Sequence, residues 1–192
     1  MSAEEPFDRF KSDLQRARDA RDATANVCTV ANVDADGYPQ ARTLVLREFE
    51  DELAIFINRT SPKWEPLSQA LTLVTYWPSI QVQYRISGTT RPIAHELVAE
   101  SWQLRPDAPK KMDWFYTKVM PQSTPIGSRE DLLAAVEALD LPDILVAPET
   151  AGGLIIEATR YERLDLTMEN GIHKRQCWQL TANGWHGTTL VP

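Results

Sequence analysis

The chain has 192 residues, enough for one well-cored domain and short for two. Hydrophobic residues make up 43% and charged residues 24%, which is the balance of a globular domain rather than a disordered or fibrous chain. Twenty Lys and Arg residues against 27 Asp and Glu residues give a net charge of −7, which argues against nucleic acid or an anionic membrane surface as the main partner.

The first segment predicts an amphipathic helix. Ser2 and Glu5 match a capping box, and Pro6 falls in the first turn. Apolar residues share one face of this helix: Phe7, Phe10 and Leu14. The N-terminus lacks the basic-then-apolar order of a signal peptide, and no apolar run reaches the ~18 residues of a membrane span. We therefore expect a cytoplasmic protein.

The next part of the chain has the pattern of short strands. Three runs rich in β-branched and aromatic residues predict strands at 26–33, 42–48 and 53–58. The sequence Asp34-Ala35-Asp36-Gly37 predicts a hairpin turn between the first two, since Asp and Gly tolerate positive φ. A short helix is expected near Pro62, followed by strands at 71–77 and 80–88.

The middle of the chain is predicted to be helical and the end to return to strands. Helices are expected at 95–104, 109–117 and 128–139, the last with Ser128 as N-cap, and 118–127 is expected to be a loop. Strands at 152–167, 172–181 and 185–191 are joined by two Asn-Gly turns. Sequential strands joined by tight turns predict one domain over 1–192, an antiparallel β-barrel with peripheral helices. A Rossmann fold is disfavoured because no Gly-x-Gly-x-x-Gly joins a strand to a helix.

Several kinds of chemistry find no support in the sequence. Cys28 and Cys177 lie in strand-like runs and are expected to be buried free thiols, a disulfide or a metal being the minor alternative. The three histidines are scattered, so no metal site is predicted. Motifs of P-loop proteins, zinc peptidases and serine hydrolases are absent from the sequence.

Polar and cationic residues on the predicted strands are the remaining candidates for a site. They are Arg42, Arg47, Lys63, Gln83, Arg85 and Arg175. Closing the sheet could bring several to one rim, where Arg and Lys together with hydroxyl groups suit a phosphate. Lys63 follows Ser61 at the start of the short helix, which would add the positive end of a helix dipole. Each residue by itself also fits an ordinary surface charge.

The order of the motifs resembles that of the pyridoxamine 5'-phosphate oxidase family. The resemblance is carried by "TVANVDADGYPQARTLVLRE", "FINRTSPK" and "QYRISG", and downstream by "RPDAPKKMDW", "PQS", "PETAGGLIIEATRYE" and "IHKR". It extends from about Phe7 to Pro192. It implies an FMN-binding split barrel, a homodimer, and FMN as the cofactor.

The same resemblance implies roles for individual residues. Arg42, Ser61 and Lys63 match contacts to the FMN phosphate. Gln122 and Ser123 match a further phosphate contact made across a dimer. The residues matching contacts to the flavin ring are Thr43, Leu44, Val45, Ile57, Asn58, Gln83 and Arg175. Arg175 falls where an arginine lies near flavin N1 and O2, a position suited to stabilising an anionic reduced flavin.

The positions that hold the substrate in the family are only partly kept. Arg47, Arg105 and His173 match substrate-orienting residues. The sequence departs from the family pattern at four positions, namely Pro62, Ser101, Pro109 and Gly171, where the family has arginine, tyrosine, serine and arginine. A flavin-packing tryptophan also has no counterpart, its place falling at 164 or 165. The pattern indicates a divergent branch that keeps the cofactor site more completely than the substrate site.

These observations lead to one main hypothesis and several alternatives. The main hypothesis is an FMN-dependent oxidoreductase acting on a small, possibly phosphorylated substrate. The first alternative is an FMN-binding protein without oxidase turnover, acting as carrier, sensor or flavin reductase partner. Heme or a deazaflavin on the same barrel is a further alternative, as is a barrel whose charges are merely scattered over its surface.

Overall fold

A computed structural model describes residues 5–49, 51–167 and 170–192. Within these residues, five helices α1 to α5 span Pro6–Asp19, Trp64–Leu67, His95–Gln103, Asp107–Lys118 and Arg129–Glu137. Strands β1 to β5 span Val27–Val33, Pro39–Val45, Arg47–Phe49, Glu52–Asn58 and Ala70–Trp77. Strands β6 to β9 span Val82–Pro92, Ala151–Asp165, Lys174–Thr181 and Gly184–Leu190. The predicted elements are thereby confirmed, with one exception among the strands.

The exception is the strand predicted at 42–48, which is two strands. The prediction of one continuous strand was wrong because Leu46 leaves the ladder and lies 3% exposed in the core. Its N–H bonds to the carbonyl oxygen of Asn26 instead of to a facing strand. β2 therefore ends at Val45, and β3 begins at Arg47 on a different partner.

All strand pairings are antiparallel, and they form one curled sheet. The order is β2-β1-β5-β6-β7-β4-β3, with β8 pairing to β7 and β9 to β8. β2 and β3 are thus the two outer strands of the main path, yet only Leu46 separates them in the chain. The sheet must curl to bring its two edges together. Because β2 pairs with β1 and β3 with β4, but not with each other, the curled sheet stays open along one side.

A bulge at Thr159 bends β7 where that strand changes partners. β7 pairs with β4 through its first half and with β8 through its second half. The β6–β7 register shifts between Ser87 and Gly88. A Cβ atom at Gly88 would lie 2.1 Å from the carbonyl oxygen of Glu157, so only glycine allows the strands to approach this closely.

The barrel interior is the main hydrophobic core, and α1 lies against it. Phe10 and Leu14 are buried, and the ring of Phe10 meets Trp77 and Tyr84 at centroid distances of 5.4 and 5.0 Å. The predicted apolar face of the helix is confirmed. The predicted capping box is wrong, because the helix begins at Pro6 with Glu5 as N-cap; Ser2 lies outside the described residues.

A buried ionic network also ties α1 to the sheet. Asp13 on α1 and Arg163 on β7 are each 1% exposed. One carboxylate oxygen of Asp13 accepts bonds from Arg163 Nε and from the Tyr84 hydroxyl, both at 2.7 Å. Burial raises the pKa of Asp13, but these bonds and the charge of Arg163 outweigh burial and hold it below its usual value.

A second hydrophobic cluster holds α3 against the sheet. Val98 and Trp102 of α3 pack with Ile93 and with residues of β4 and β7. α4 follows α3 after Leu104, Arg105 and Pro106. Residues of both helices line the open side of the barrel. Ser128 accepts a bond from the N–H of Asp131, which confirms it as the N-cap of α5.

Three remaining expectations concern cysteines, metals and membranes. Cys28 and Cys177 are both buried and free, and burial raises the pKa of Cys28 to about 12. Across the residues that the structure describes, no three His, Cys, Asp or Glu side chains gather as metal ligands would. In the same residues, no helix combines the length and apolar character needed to cross a bilayer.

We expect Asp13→Ala to lower the free energy of unfolding by about 3–5 kcal/mol, because it removes the buried carboxylate that Arg163 Nε and the Tyr84 hydroxyl both bond to. Arg163 then keeps only the bond from its Nη1 to Asp165 as an ion pair within the described residues. The loss of stability caused by the variant should become smaller in acid. The pKa of Asp13 is lower in the folded state than in the unfolded state, so its carboxylate contributes stability above the unfolded pKa. That contribution disappears as the pH falls through the folded pKa. Urea unfolding across this pH range measures both effects. Asp19→Ala, an exposed carboxylate on the same helix, is the control; equal stability of the two variants would contradict the network's importance.

Candidate cofactor and substrate groove

The open side of the barrel is a groove between β2 and β4. One part of it, a cavity of about 400 Å³, is lined by both strands and by residues of α3, α4 and β7. A second cavity shares seven of these lining residues and extends to Lys63, which also borders a third cavity beside Arg42. We call this continuous depression the split groove. The predicted site residues that line it are Arg42, Thr43, Leu44, Val45, Arg47, Ile57, Asn58, Lys63, Arg105, Gln122 and Ser123.

One wall of the groove is a strand edge without a partner. β2 pairs with β1 along one edge only, so within the described residues its other edge has no facing strand. Leu44 points inward and packs on the core, whereas Thr43 and Val45 are exposed. The peptide groups of these three residues can therefore meet a flat, polar-edged molecule as another strand would meet them.

Two cations lie close together at one end of the groove. Arg42 comes from β2, and Lys63 comes from the turn before α2. Partial burial and the nearby charge of Arg42 both lower the pKa of Lys63. Arg42 Nη2 reaches Asn32 Oδ1 at only 3.5 Å, and its Nε is buried without a partner. Among the described residues, neither cation forms an ion pair.

Neutral polar groups surround this cationic end. Ser61 is 3% exposed, and its hydroxyl accepts the N–H of Lys63 at 3.4 Å. Ser123 lines the same cavity as Arg42, and the buried Oε1 of Gln122 has no hydrogen-bond partner. Asp34 also lies here, but its carboxylate accepts bonds from Tyr38, Gln40 and Asp36 within its own hairpin.

One expectation about this end stays a prediction and another needs correction. Gln122 and Ser123 line cavities of their own chain, where the Gln122 N–H bonds to Thr60 Oγ1, and their phosphate contact across a dimer stays a prediction. The helix that was expected to add its dipole has only four residues, Trp64–Leu67, with Lys63 as its N-cap. So short a helix adds little to the charge that the side chains supply.

The opposite end of the groove has a different charge balance. Arg47 lines it with its guanidinium 5.6 Å from the centre of the Phe56 ring, and forms no ion pair within the described residues. Arg105 lines it too, but its Nη1 is bonded to the carboxylate of Asp113. Asp113 is 3% exposed and also accepts a bond from Trp102 Nε1 at 2.8 Å. The charge of Arg105 is therefore already matched inside the protein.

Sequence reasoning did not identify Asp113, although it organises this end of the groove. It is one of many acidic residues on predicted helices, and nothing in its spacing marks it as buried. Asn58, which was matched to a flavin contact, also bonds to Asp113, through Nδ2 at 3.2 Å. Its Oδ1 accepts from the N–H and hydroxyl of Thr60, so the Asn58 side chain is engaged in supporting the groove wall.

Three predicted site residues, Gln83, Arg175 and His173, do not line the groove of their own chain. Gln83, Leu164 and Arg175 face one another across β6, β7 and β8, and so share one face of the sheet. Their neighbours Tyr84 and Arg163 are buried, which places this row on the outer face. Arg175 donates a bond from Nε to Glu162 Oε1 at 3.0 Å, and its Nη2 forms an ion pair with the same oxygen at 2.9 Å. His173 precedes the row, and its buried Nδ1 has no partner among the described residues.

The curled antiparallel sheet with an open side defines this protein as a split barrel. A family model described as pyridoxamine 5'-phosphate oxidase, FMN-binding domain, matches residues 6–94. A pyridoxine/pyridoxamine 5'-phosphate oxidase from Thermosynechococcus vestitus is 30% identical over 197 residues, which cover 100% of this chain and 90% of that protein. One from Anaeromyxobacter dehalogenans is 27% identical, with 100% and 97% covered. The chain belongs to the pyridoxamine 5'-phosphate oxidase family, and FMN is the cofactor of the matched domain.

Two solved structures share the fold. PhzG from Burkholderia lata 383, in complex with tetrahydrophenazine-1-carboxylic acid, has a TM-score of 0.84 and 22% identity, and the match covers 100% of this chain and 94% of that one. A pyridoxamine 5'-phosphate oxidase-related, FMN-binding protein from Nostoc punctiforme PCC 73102 has a TM-score of 0.78 and 20% identity, with both chains fully covered. The predicted split-barrel fold is confirmed.

The groove fits FMN by its own chemistry. A phosphate requires cations and hydroxyl donors, and the end at Arg42 and Lys63 offers two cations without a matched carboxylate. The buried Arg42 Nε and Gln122 Oε1 are polar atoms that a ligand can satisfy. The free edge of β2 lies alongside for a planar ring.

We expect Arg42→Ala to raise the pKa of Lys63 towards its ordinary value, because the variant removes the neighbouring positive charge. NMR titration of the lysine side-chain signals, with Lys63→Arg to assign the resonance, measures this change. Arg129→Ala, which removes an exposed arginine of α5, should leave the titration unchanged. An unaltered Lys63 titration in Arg42→Ala would show that the two cations are not neighbours.

Proposed function

We propose that this protein is an FMN-dependent oxidoreductase whose cofactor and small-molecule substrate lie together in the split groove. The observation that carries the proposal is the pair of unmatched cations, Arg42 and Lys63, at one end of a groove whose wall is a free strand edge. Burying like charges side by side is unfavourable unless an anion joins them. The terminal phosphate of FMN is such an anion.

Each part of the groove has a distinct task in this proposal. Arg42 and Lys63 bind the phosphate by charge-assisted hydrogen bonds, and Ser123 with Gln122 adds neutral contacts. The peptide edge at 43–45 holds and orients the flavin ring, and Ile57 contributes apolar surface to the facing wall. Bound FMN supplies the acceptor for a hydride, which the side chains of this protein cannot supply. Arg47 and Arg105 flank the space left for a substrate.

The proposal also includes a second copy of the chain. Gln83, His173 and Arg175 were matched to cofactor or substrate contacts, yet none of them lines the cavities of their own split groove. Gln83 and Arg175 lie on the outer sheet face, and His173 lies two positions before Arg175. Exposed Tyr76 pairs with Gln83 and extends this face with apolar surface. A homodimer that joins this face to the groove of the partner completes the site. Glu162 holds the Arg175 guanidinium in position for that task.

A second candidate function is FMN binding without oxidase turnover, as in a carrier, a sensor or a flavin reductase partner. The specific observation in its favour is the bond between Arg105 and Asp113. Because Arg105 is already bonded to a carboxylate of the protein, it is less available to orient a substrate, the role that the resemblance gives it. Anaerobic mixing of the FMN-loaded protein with pyridoxine or pyridoxamine 5'-phosphate separates the two candidates. Bleaching of the flavin absorbance supports the oxidoreductase, and an unchanged spectrum favours the second candidate.

We expect Arg42→Ala to weaken FMN binding about 10- to 100-fold, which corresponds to about 1.4–2.8 kcal/mol for a charge-assisted hydrogen bond. Riboflavin, which lacks the phosphate, should bind the variant and the wild type equally. Quenching of flavin fluorescence measures both affinities, and Arg129→Ala is the matched control. A parallel loss of FMN and riboflavin binding would point to a damaged groove instead of a lost phosphate contact.

The shared site predicts complementation between two defective variants. Arg42→Ala and Arg175→Ala should each bind FMN weakly alone, because every site in either homodimer lacks one contact. After subunit exchange, a mixed dimer has one site with both arginines and one with neither, so tight FMN binding should return to half of the sites in mixed dimers. Native mass spectrometry verifies the exchange. Exchange without recovery of tight binding would refute a site built from two copies.

A further inference from the structure

We propose that the Arg47 end of the split groove accepts a small apolar molecule bearing a single carboxylate, in preference to a phosphate ester. This inference rests on the proposed function, because it concerns the ligand that lies beside the cofactor in the same groove. Its basis is the difference in charge balance between the two ends, together with the character of the walls at the Arg47 end.

The Arg47 end offers one unmatched positive charge. Two guanidinium groups line it, those of Arg47 and Arg105. Asp113 lines it as well and is bonded directly to Arg105, so two cations and one carboxylate leave a net charge of +1. The Arg42 end differs in how its charges are paired. Asp34 lines it too, but its carboxylate bonds to neutral groups of its own hairpin, and within the described residues neither Arg42 nor Lys63 forms an ion pair. One end therefore suits a phosphate dianion, and the other suits a monoanion.

Arg105 is not free to leave Asp113 for a ligand. Asp113 is 3% exposed, and its carboxylate also accepts bonds from Trp102 Nε1 and Asn58 Nδ2. Both of those donors are neutral, so without Arg105 the buried carboxylate would lose its only directly bonded cation among the described residues. Removing one partner from a buried ion pair is strongly unfavourable. The pair is consequently a fixed part of the groove wall.

The walls around Arg47 are mainly apolar. Phe56, Val98, Trp102, Pro106 and Pro109 line this end, and Ser101 adds a neutral hydroxyl. The Arg47 guanidinium lies over the Phe56 ring, which fixes the positive charge beside an aromatic surface. A phosphate monoester dianion presents three strong acceptor oxygens, and this end offers donors for few of them, whereas one guanidinium can hold a carboxylate by two parallel bonds.

Three ring-matched probes test this inference: 2-naphthoate, 2-naphthyl phosphate and 2-naphthamide. They share an aromatic body and differ in carrying a carboxylate, a phosphate that is mostly dianionic at neutral pH, or no charge. Binding to the FMN-loaded protein is measured by calorimetry and by the shift of the flavin spectrum, which reports a ligand next to the ring. We expect the carboxylate to bind about tenfold more tightly than either of the other probes.

Two variants assign the preference to the named residues. Arg47→Gln should abolish the advantage of the carboxylate over the amide, because it removes the unmatched charge. Asp113→Asn should increase the affinity for the phosphate probe, because it frees the charge of Arg105 while keeping an acceptor at the same position. Arg129→Ala should leave the order of the three probes unchanged. Arg47→Gln changes a half-buried surface residue, so its result stands even where Asp113→Asn does not fold.

The outcomes separate this inference from the proposed function. A protein that binds FMN and prefers naphthyl phosphate, or binds all three probes equally, overturns the carboxylate assignment and leaves the FMN site intact. An unchanged preference in Arg47→Gln overturns it as well. Failure to bind FMN, measured first by fluorescence quenching, overturns both the proposed function and the inference that rests on it.

Discussion

The architecture depends on one constraint: a single residue, Leu46, joins the two outermost strands of the main sheet path. Burial of its side chain turns the chain inward, so β2 and β3 continue on different partners. The sheet has to curl for a one-residue connection to link its edges, and the unpaired β2 edge remains open beside β4. An unpaired strand edge is ordinarily a liability in a sheet. Here the same edge forms the wall of a binding groove.

The two ends of the split groove differ in whether their cations are paired with a carboxylate of the protein. At one end, within the described residues, two cations form no ion pair, and the pKa of Lys63 falls as a result of burial and of the nearby Arg42. At the other end a buried carboxylate, Asp113, already neutralises Arg105. The charges of Arg42 and Lys63 need an anion from a ligand to balance them, whereas the charge of Arg105 is balanced by Asp113 within the protein. This contrast separates the part of the groove that suits the cofactor from the part that selects a substrate.

Much of the fold could be predicted because local patterns determined it. Asn-Gly and Asp-Gly turns placed the hairpins, and Gly37, Gly171 and Gly184 indeed have positive φ. The break at Leu46 was missed because a leucine in an alternating apolar run gives no sign that the partner strand changes there. Asp113 was missed for a related reason: whether a helical carboxylate is buried depends on what packs over it.

The sequence by itself determined the strand and helix types, the family and the candidate cations, because these follow from local periodicity and from motifs in a fixed order. Only the tertiary structure decided which cations share a groove. Arg42 and Lys63 are 21 positions apart and meet because the sheet curls, while Arg105 meets Asp113 because α4 packs against α3 and β4. The structure likewise placed Gln83 and Arg175 on the outer face, since strand register fixes the face on which each side chain lies.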